Sequence, residues 1–135
     1  MSKIFLRFTI KGDTLNLDEL SQSIPIDADV YNKGDVISTG LGILLKPQKT
    51  NRWVYSREFS KSETLNSALK SMKTDFMPHL KKLANYTKSY PSLLDIVIYS
   101  NETAPMYKFN ASLSKSNLKF INMLNTKLSI TFYDW

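Results

Sequence analysis

The sequence predicts an α+β fold: one αβ domain over residues 1–135, a mostly antiparallel mixed sheet with about three helices packed on it. Three observations carry that expectation. Several segments alternate apolar and polar residues with the period of a half-buried strand. Two stretches repeat apolar residues every three or four positions, as an amphipathic helix does. Strands outnumber helices and cluster in hairpin-like runs, and no linker, low-complexity tract or repeat divides the chain. A chain of 135 residues can bury a core without disulfides.

The elements follow in order. Ile4, Leu6, Phe8 and Ile10 alternate with Lys3, Arg7, Thr9 and Lys11, so the first strand has one buried side. Phe5 interrupts the polar side and implies that something partly covers it. After the Gly12-Asp13 turn, Asn16 and Glu19 have capping-box spacing, and Leu15 and Leu20 have that of a hydrophobic staple. This helix stops by Ile24, because the residue before Pro25 disfavours helical backbone. From 26 to 56 the signals are those of loops and strands: the Asn32-Lys33-Gly34-Asp35 turn, Gly40 and Gly42 around Leu41, the run Ile43-Leu44-Leu45, and a polar break from 47 to 51. Residues 52–57 alternate again, with Trp53, Tyr55 and Arg57 on one side and Val54 on the other.

Leu65, Leu69, Met72, Phe76, Leu80 and Leu83 mark the longest helical signal, from 63 to 88, with Ser60 and Glu63 as its capping box. Pro78 inside it either kinks one helix or begins a second. Tyr90-Pro91 closes the region. Residues 93–99 read as a strand, 106–109 as a further one, and Ser112 or Ser114 caps a helix carrying Leu118, Ile121, Leu124 and Leu128. Residues 128–133 alternate as the closing strand. Segments 4–10, 94–98 and 128–132 are expected at the centre of the sheet, facing the helices.

Chemistry-bearing residues are scarce. There is no cysteine and one histidine, His79, which removes thiol nucleophiles, Cys-ligated metals and nearly every His-based metal site. His79 has Lys81 and Lys82 nearby and no partner at a recognisable catalytic spacing, so it reads as a surface histidine. Asp27, Asp29 and Asp35 lie in an order that does not fit an EF-hand and read as turn residues. Asp18 and Glu19 complement a helix dipole. No phosphate loop, dinucleotide fingerprint or nucleophile elbow occurs, and Gly40-Leu41-Gly42 is too short to count as one. The expectation is therefore a protein that is not an enzyme and uses no cofactor or metal. A hydrolase built on carboxylates such as Asp35 and Glu58 ranks last.

Lys and Arg number 18 against 12 Asp and Glu, a net charge of +6 that permits an acidic protein, nucleic acid or acidic surface as partner. Only Arg7, Arg52 and Arg57 are arginines, and guanine or bidentate phosphate recognition favours arginine over lysine. Lys70, Lys81 and Lys88 lie opposite the apolar stripe of the long helix, where the plain reading is a solvated helix face. No stretch approaches the roughly 20 apolar residues of a membrane span, and the start at Met1-Ser2-Lys3 lacks a signal-peptide pattern. A cytoplasmic protein without membrane contact is expected. Oligomeric state is not legible.

The partner surface is expected on Tyr31, Asp35, Arg52, Trp53, Tyr55 and Arg57, because the longest irregular region leads into the tryptophan strand and aromatics with arginine make binding hot spots. If a helix covers the Trp53 side instead, Trp53 is core, and the sequence supports both readings equally.

The order of signals has a family likeness. A strand, a capped short helix over 15–24, Ile26 before a loop, Lys33-Gly34-Asp35, the Trp53 strand, a long leucine-spaced helix and a closing Ile130-Thr131-Phe132-Tyr133 strand together resemble the small bacterial family called domain of unknown function 4279. Ser21, Ile24, Pro25 and Ile26 approximate that family's Thr-x-x-Leu-Gly-Ile-x-Pro stretch, and Gly34-Asp35 and Trp53 are its best individual matches. The resemblance implies no reaction. It suggests, by analogy, an immunity protein that neutralises a bacterial toxin domain by covering its active site. The functional expectation is thus a protein-binding module of that kind. The alternative is a nucleic-acid-associated basic domain with Trp53, Tyr55, Tyr86 and Tyr99 as stacking groups.

Overall fold

Alternating segments become strands and leucine-spaced segments become helices, in the order β1 (Ser2–Gly12), α1 (Leu17–Ser23), β2 (Asp29–Tyr31), β3 (Asn51–Phe59), α2 (Leu65–Phe76), α3 (Leu80–Ser89), β4 (Ser92–Ser100), α4 (Lys115–Met123) and β5 (Lys127–Asp134). This computed structural model describes residues 2–35, 47–60, 64–100 and 113–134. The expected strand at 106–109 and the Ile43-Leu44-Leu45 run lie outside the described residues. The sheet order is β2-β3-β1-β4-β5. β1 pairs antiparallel with both β3 and β4, β2 antiparallel with β3, and β4 parallel with β5. A 3-10 turn at Met77–His79 joins α2 to α3 into one unit, so the helical units number three among the described residues. The result is an α+β domain with a mixed sheet, as the sequence implies.

Caps set the helix starts. The Asn16 side chain accepts from the Glu19 backbone N–H at 3.1 Å, and Leu15 and Leu20 are both buried beside it. The long helix begins later than the Ser60/Glu63 spacing implies: Thr64 is the N-cap, and its hydroxyl accepts from the Ser67 N–H at 3.0 Å. Ser114, not Ser112, caps α4. Pro78 sits in the 3-10 turn, where its missing N–H removes only one bond at a helix junction.

One hydrophobic core lies between the helices and one side of the sheet. Ile4, Leu6, Phe8 and Ile10 from β1 meet Leu94, Ile96 and Ile98 from β4, and Leu65, Leu69, Met72, Phe76 and Leu83 cover them. Phe76 is its aromatic hub, with ring centroids 5.4 Å from Phe8, 4.7 Å from Tyr55, 6.5 Å from Trp53 and 6.2 Å from Phe120.

Two expectations about the C-terminal third are corrected. β5 is not central: the parallel crossover through α4 sets it outside β4, at the end of the described sheet. Leu128, Ile130 and Phe132 accordingly keep 40%, 38% and 44% exposure. The helix also ends at Met123, because Asn125 adopts φ 51, a left-handed conformation that Asn tolerates at a helix end. Leu128 is therefore a strand residue, and the buried stripe of α4 is Asn117, Phe120 and Ile121 rather than the exposed Leu118.

Candidate binding face

Strand alternation sorts every β-residue to one of two sides. Trp53, Tyr55 and Arg57 are register partners of the buried Ile10, Phe8 and Leu6, so they point toward the helices. The helix-covered reading of this strand is the one observed. Trp53 is 1% exposed and Tyr55 is fully buried, and both belong to the core, which corrects their expected place on an open partner surface. The Tyr55 hydroxyl donates to the Asp75 carboxylate at 2.7 Å. Burial, reinforced by Asp75, raises the phenol pKa well above its usual value. Arg57 is half-buried at the sheet rim, its guanidinium 4.1 Å from the Tyr55 ring centroid and donating to the Asp27 carbonyl at 3.1 Å.

Asp35 also has a local task. Its carboxylate accepts from the Asn32 N–H at 2.7 Å, and Asn51 braces the same turn by accepting from the Lys33 N–H at 2.7 Å. Gly34 takes φ 92 there, a conformation that favours glycine. Asp35 closes this turn and stays exposed. Of the expected set, Tyr31 and Arg52 alone lie on the sheet side away from the helices, as cross-strand neighbours. His79 ends the 3-10 turn, and among the described residues no three His, Asp or Glu side chains group as metal ligands.

That second side presents a built surface. The helices of the core pack on the other side, although Thr87 of α3 borders one end of this face and Val54 within it is buried. Its rows, about 7 Å apart along the strands, read Tyr31–Arg52–Lys11, then Asp29–Val54–Thr9–Leu93–Lys127, Ser56–Arg7–Asp95–Ser129, Glu58–Phe5–Val97–Thr131, and Lys3–Tyr99–Tyr133. Two hollows share Arg7 and Asp95, one of about 550 Å³ at the Arg52 end and one of about 510 Å³ at the Tyr99 end. Phe5 meets Tyr99 edge-on at 5.4 Å, and Tyr99 stacks on Tyr133 at 5.1 Å. The apolar interruption at Phe5 thus joins an aromatic strip; the cover it implied is these neighbouring rings.

Charge on this face is lopsided. Lys3 pairs with Glu58 at 3.1 Å, whereas among the described residues Arg7, Lys11, Arg52 and Lys127 have no ion pair. The expected set omits Arg7, Lys11, Lys127 and the Phe5–Tyr99–Tyr133 strip. The signal for β1 was present, since Lys3, Arg7 and Lys11 are the polar alternates of a strand. The neighbours of that strand had no such signal, because cross-strand pairing is not written in one segment.

An α+β domain with a helix-covered core and, among the described residues, a second, cation-bearing sheet face is the class that fold and surface define. Over residues 2–135 the chain matches the model of the family described as Domain of unknown function (DUF4279), and it belongs to that family. No curated protein and no solved structure matches it. Among the described residues, no helix is long and apolar enough to cross a membrane.

Proposed function

We propose that this protein is a non-enzymatic binding module whose open sheet face covers an acidic surface of a protein partner, in the manner of an immunity protein occluding a toxin domain. The observation that supports the reading is the composition of that one face: four cations that form no ion pair with the described residues at one end, and an aromatic strip at the other. Aromatic anchors beside arginine are the usual centres of binding energy, and unpaired surface charge steers a complementary partner. The face spans about 27 Å along the strands and about 19 Å across them, the order of one side of a standard interface.

The same face invites a nucleic-acid reading, since cations and aromatics on a sheet can hold a single strand. Ring geometry favours a protein. Tyr99 and Tyr133 give a face to each other, and Phe5 and Tyr99 meet at a near right angle, which leaves less ring surface for stacked bases. Capture from the native host, identification by mass spectrometry and reconstitution with the purified partner test the proposal. The expected result is a complex with an acidic protein that Arg7→Glu with Lys127→Glu disrupts and that inhibits the partner's activity. Salt-sensitive shifting of oligonucleotides with no protein complex, or turnover of a metabolite, would overturn it.

A further inference from the structure

The hollow at the Arg52 end holds more positive charge than the fold can use. Lys11 and Arg52 are direct cross-strand partners in the antiparallel register, a like-charge placement that destabilises a sheet. The other register neighbour of Arg52 is Tyr31, and that of Lys127 is Leu93, so neither cation has an acid directly opposite it; Asp29 and Asp95 each lie one row away on the adjacent strand. Arg7 alone sits beside a carboxylate, Asp95, and that is the one carboxylate lining this hollow against four cations.

Spacing brings these charges to a common volume. Lys11 and Arg7 are four residues apart on β1, about 13 Å, and β5 lies two strands from β1, about 10 Å away. Long Lys and Arg side chains from those positions can all reach into a hollow of about 550 Å³. That volume falls in the range of small-ligand sites, about 300–1,000 Å³. The wall is fixed. Tyr90 lies so close over Gly12 that an added Cβ would come within 2.5 Å of its ring, and its hydroxyl donates to the Thr14 carbonyl at 3.2 Å.

We infer that this hollow is an anion subsite for two or more adjacent negative groups. A single monoanion would leave most of the excess charge unmet, and Arg supplies the paired donors that carboxylates and phosphates accept. The inference rests on reading the open face as a binding surface. Clustered Asp and Glu side chains of a protein partner and the phosphates of a small phosphorylated compound share this chemistry, and the test separates them.

Isothermal titration at low ionic strength uses two probes, pyrophosphate and an end-blocked tetraglutamate peptide. The proteins are wild type, the double variant Lys11→Gln with Arg52→Gln, and a control with Lys70→Gln and Lys81→Gln on the helix side. Lys11 is exposed and Arg52 half-buried, and removing their like-charge pair relieves repulsion, so the variant should melt no lower than wild type. The expected result is salt-sensitive binding of at least one probe by wild type, weakened about tenfold or more in the Lys11/Arg52 variant and unchanged in the control. Tighter binding of the peptide assigns the subsite to partner carboxylates, and tighter binding of pyrophosphate assigns it to a phosphorylated compound. No binding of either probe, or equal weakening in the control, overturns the subsite. If the subsite fails while a partner complex still responds to Tyr133→Ser, the open face stands without it. If neither responds, the reading of the face falls too.

Discussion

Phe76→Ala is the sharpest test of how this core is assembled. The ring is fully buried and touches aromatic rings from β1, β3 and α4 at centroid distances of 4.7–6.5 Å. Truncation removes its apolar transfer energy and leaves a cavity that three different elements would have to close. Such Phe-to-Ala changes cost about 3–5 kcal/mol. Each edge-to-face pair adds about 0.5–1.5 kcal/mol beyond buried area, so the upper half of that range is expected here. For a domain of this size, about 3–5 °C accompanies each kcal/mol, giving a melting shift of roughly 12–25 °C. Urea unfolding followed by tryptophan fluorescence suits the measurement, because Trp53 lies 6.5 Å from the deleted ring. Phe76→Leu should recover much of the loss by refilling the cavity. Lys70→Ala, on the exposed side of the same helix, should be near neutral. A loss under about 1 kcal/mol for Phe76→Ala, or one equal to that of Lys70→Ala, would refute the packing described.

Two further outcomes follow from close contacts. Gly12→Ala should destabilise by about 1–3 kcal/mol through its clash with Tyr90; in a double-mutant cycle Tyr90→Ala should remove that penalty, and simple additivity of the two losses would contradict the contact. The raised pKa of Tyr55 means that the folded state holds the phenolic proton more tightly than the unfolded chain, whose phenol titrates at about 10. Stability from this group is therefore present below about pH 10 and lost as pH rises beyond it, so Tyr55→Phe should lower stability by about 1 kcal/mol at neutral pH and flatten the alkaline decline. Urea midpoints from pH 7 to pH 11 that fall equally in both proteins would contradict this.

Local signals were legible in proportion to their strength in one segment. The β1 alternation, the Asn16 cap, the Pro25 and Pro78 breaks and the Leu65 to Leu83 stripe all survive folding, because periodicity and capping act over a few residues. What the chain alone could not show is which strands become neighbours. β5 alternates as cleanly as β4, yet the crossover through α4 sends it outward. The site followed the same rule. Arg52 and Trp53 are adjacent in sequence but face opposite sides of the sheet, so a surface that combined Tyr31 and Arg52 with Trp53, Tyr55 and Arg57 divides between the two sides. Arg7, Lys11 and Lys127 share a hollow across residues far apart in the chain, and a single sequence carries no trace of that meeting.

The position of β1 at the middle of the sheet has a consequence for how the chain comes to order. Ile4 is paired with Phe59 on one side and Ile98 on the other, so neither partner of the earliest strand is made until long after it. Contacts of such sequence separation slow folding, because loop closure must precede any reward from pairing. During synthesis the alternating Ile4, Leu6, Phe8 and Ile10 would wait with both backbone edges bare, and adhesion to other nascent chains would compete with completion. The alternates Lys3, Arg7 and Lys11 sit on that same waiting strand. These charges, which lie on the sheet side away from the core in the finished domain, would act as gatekeepers against aggregation before β4 arrives.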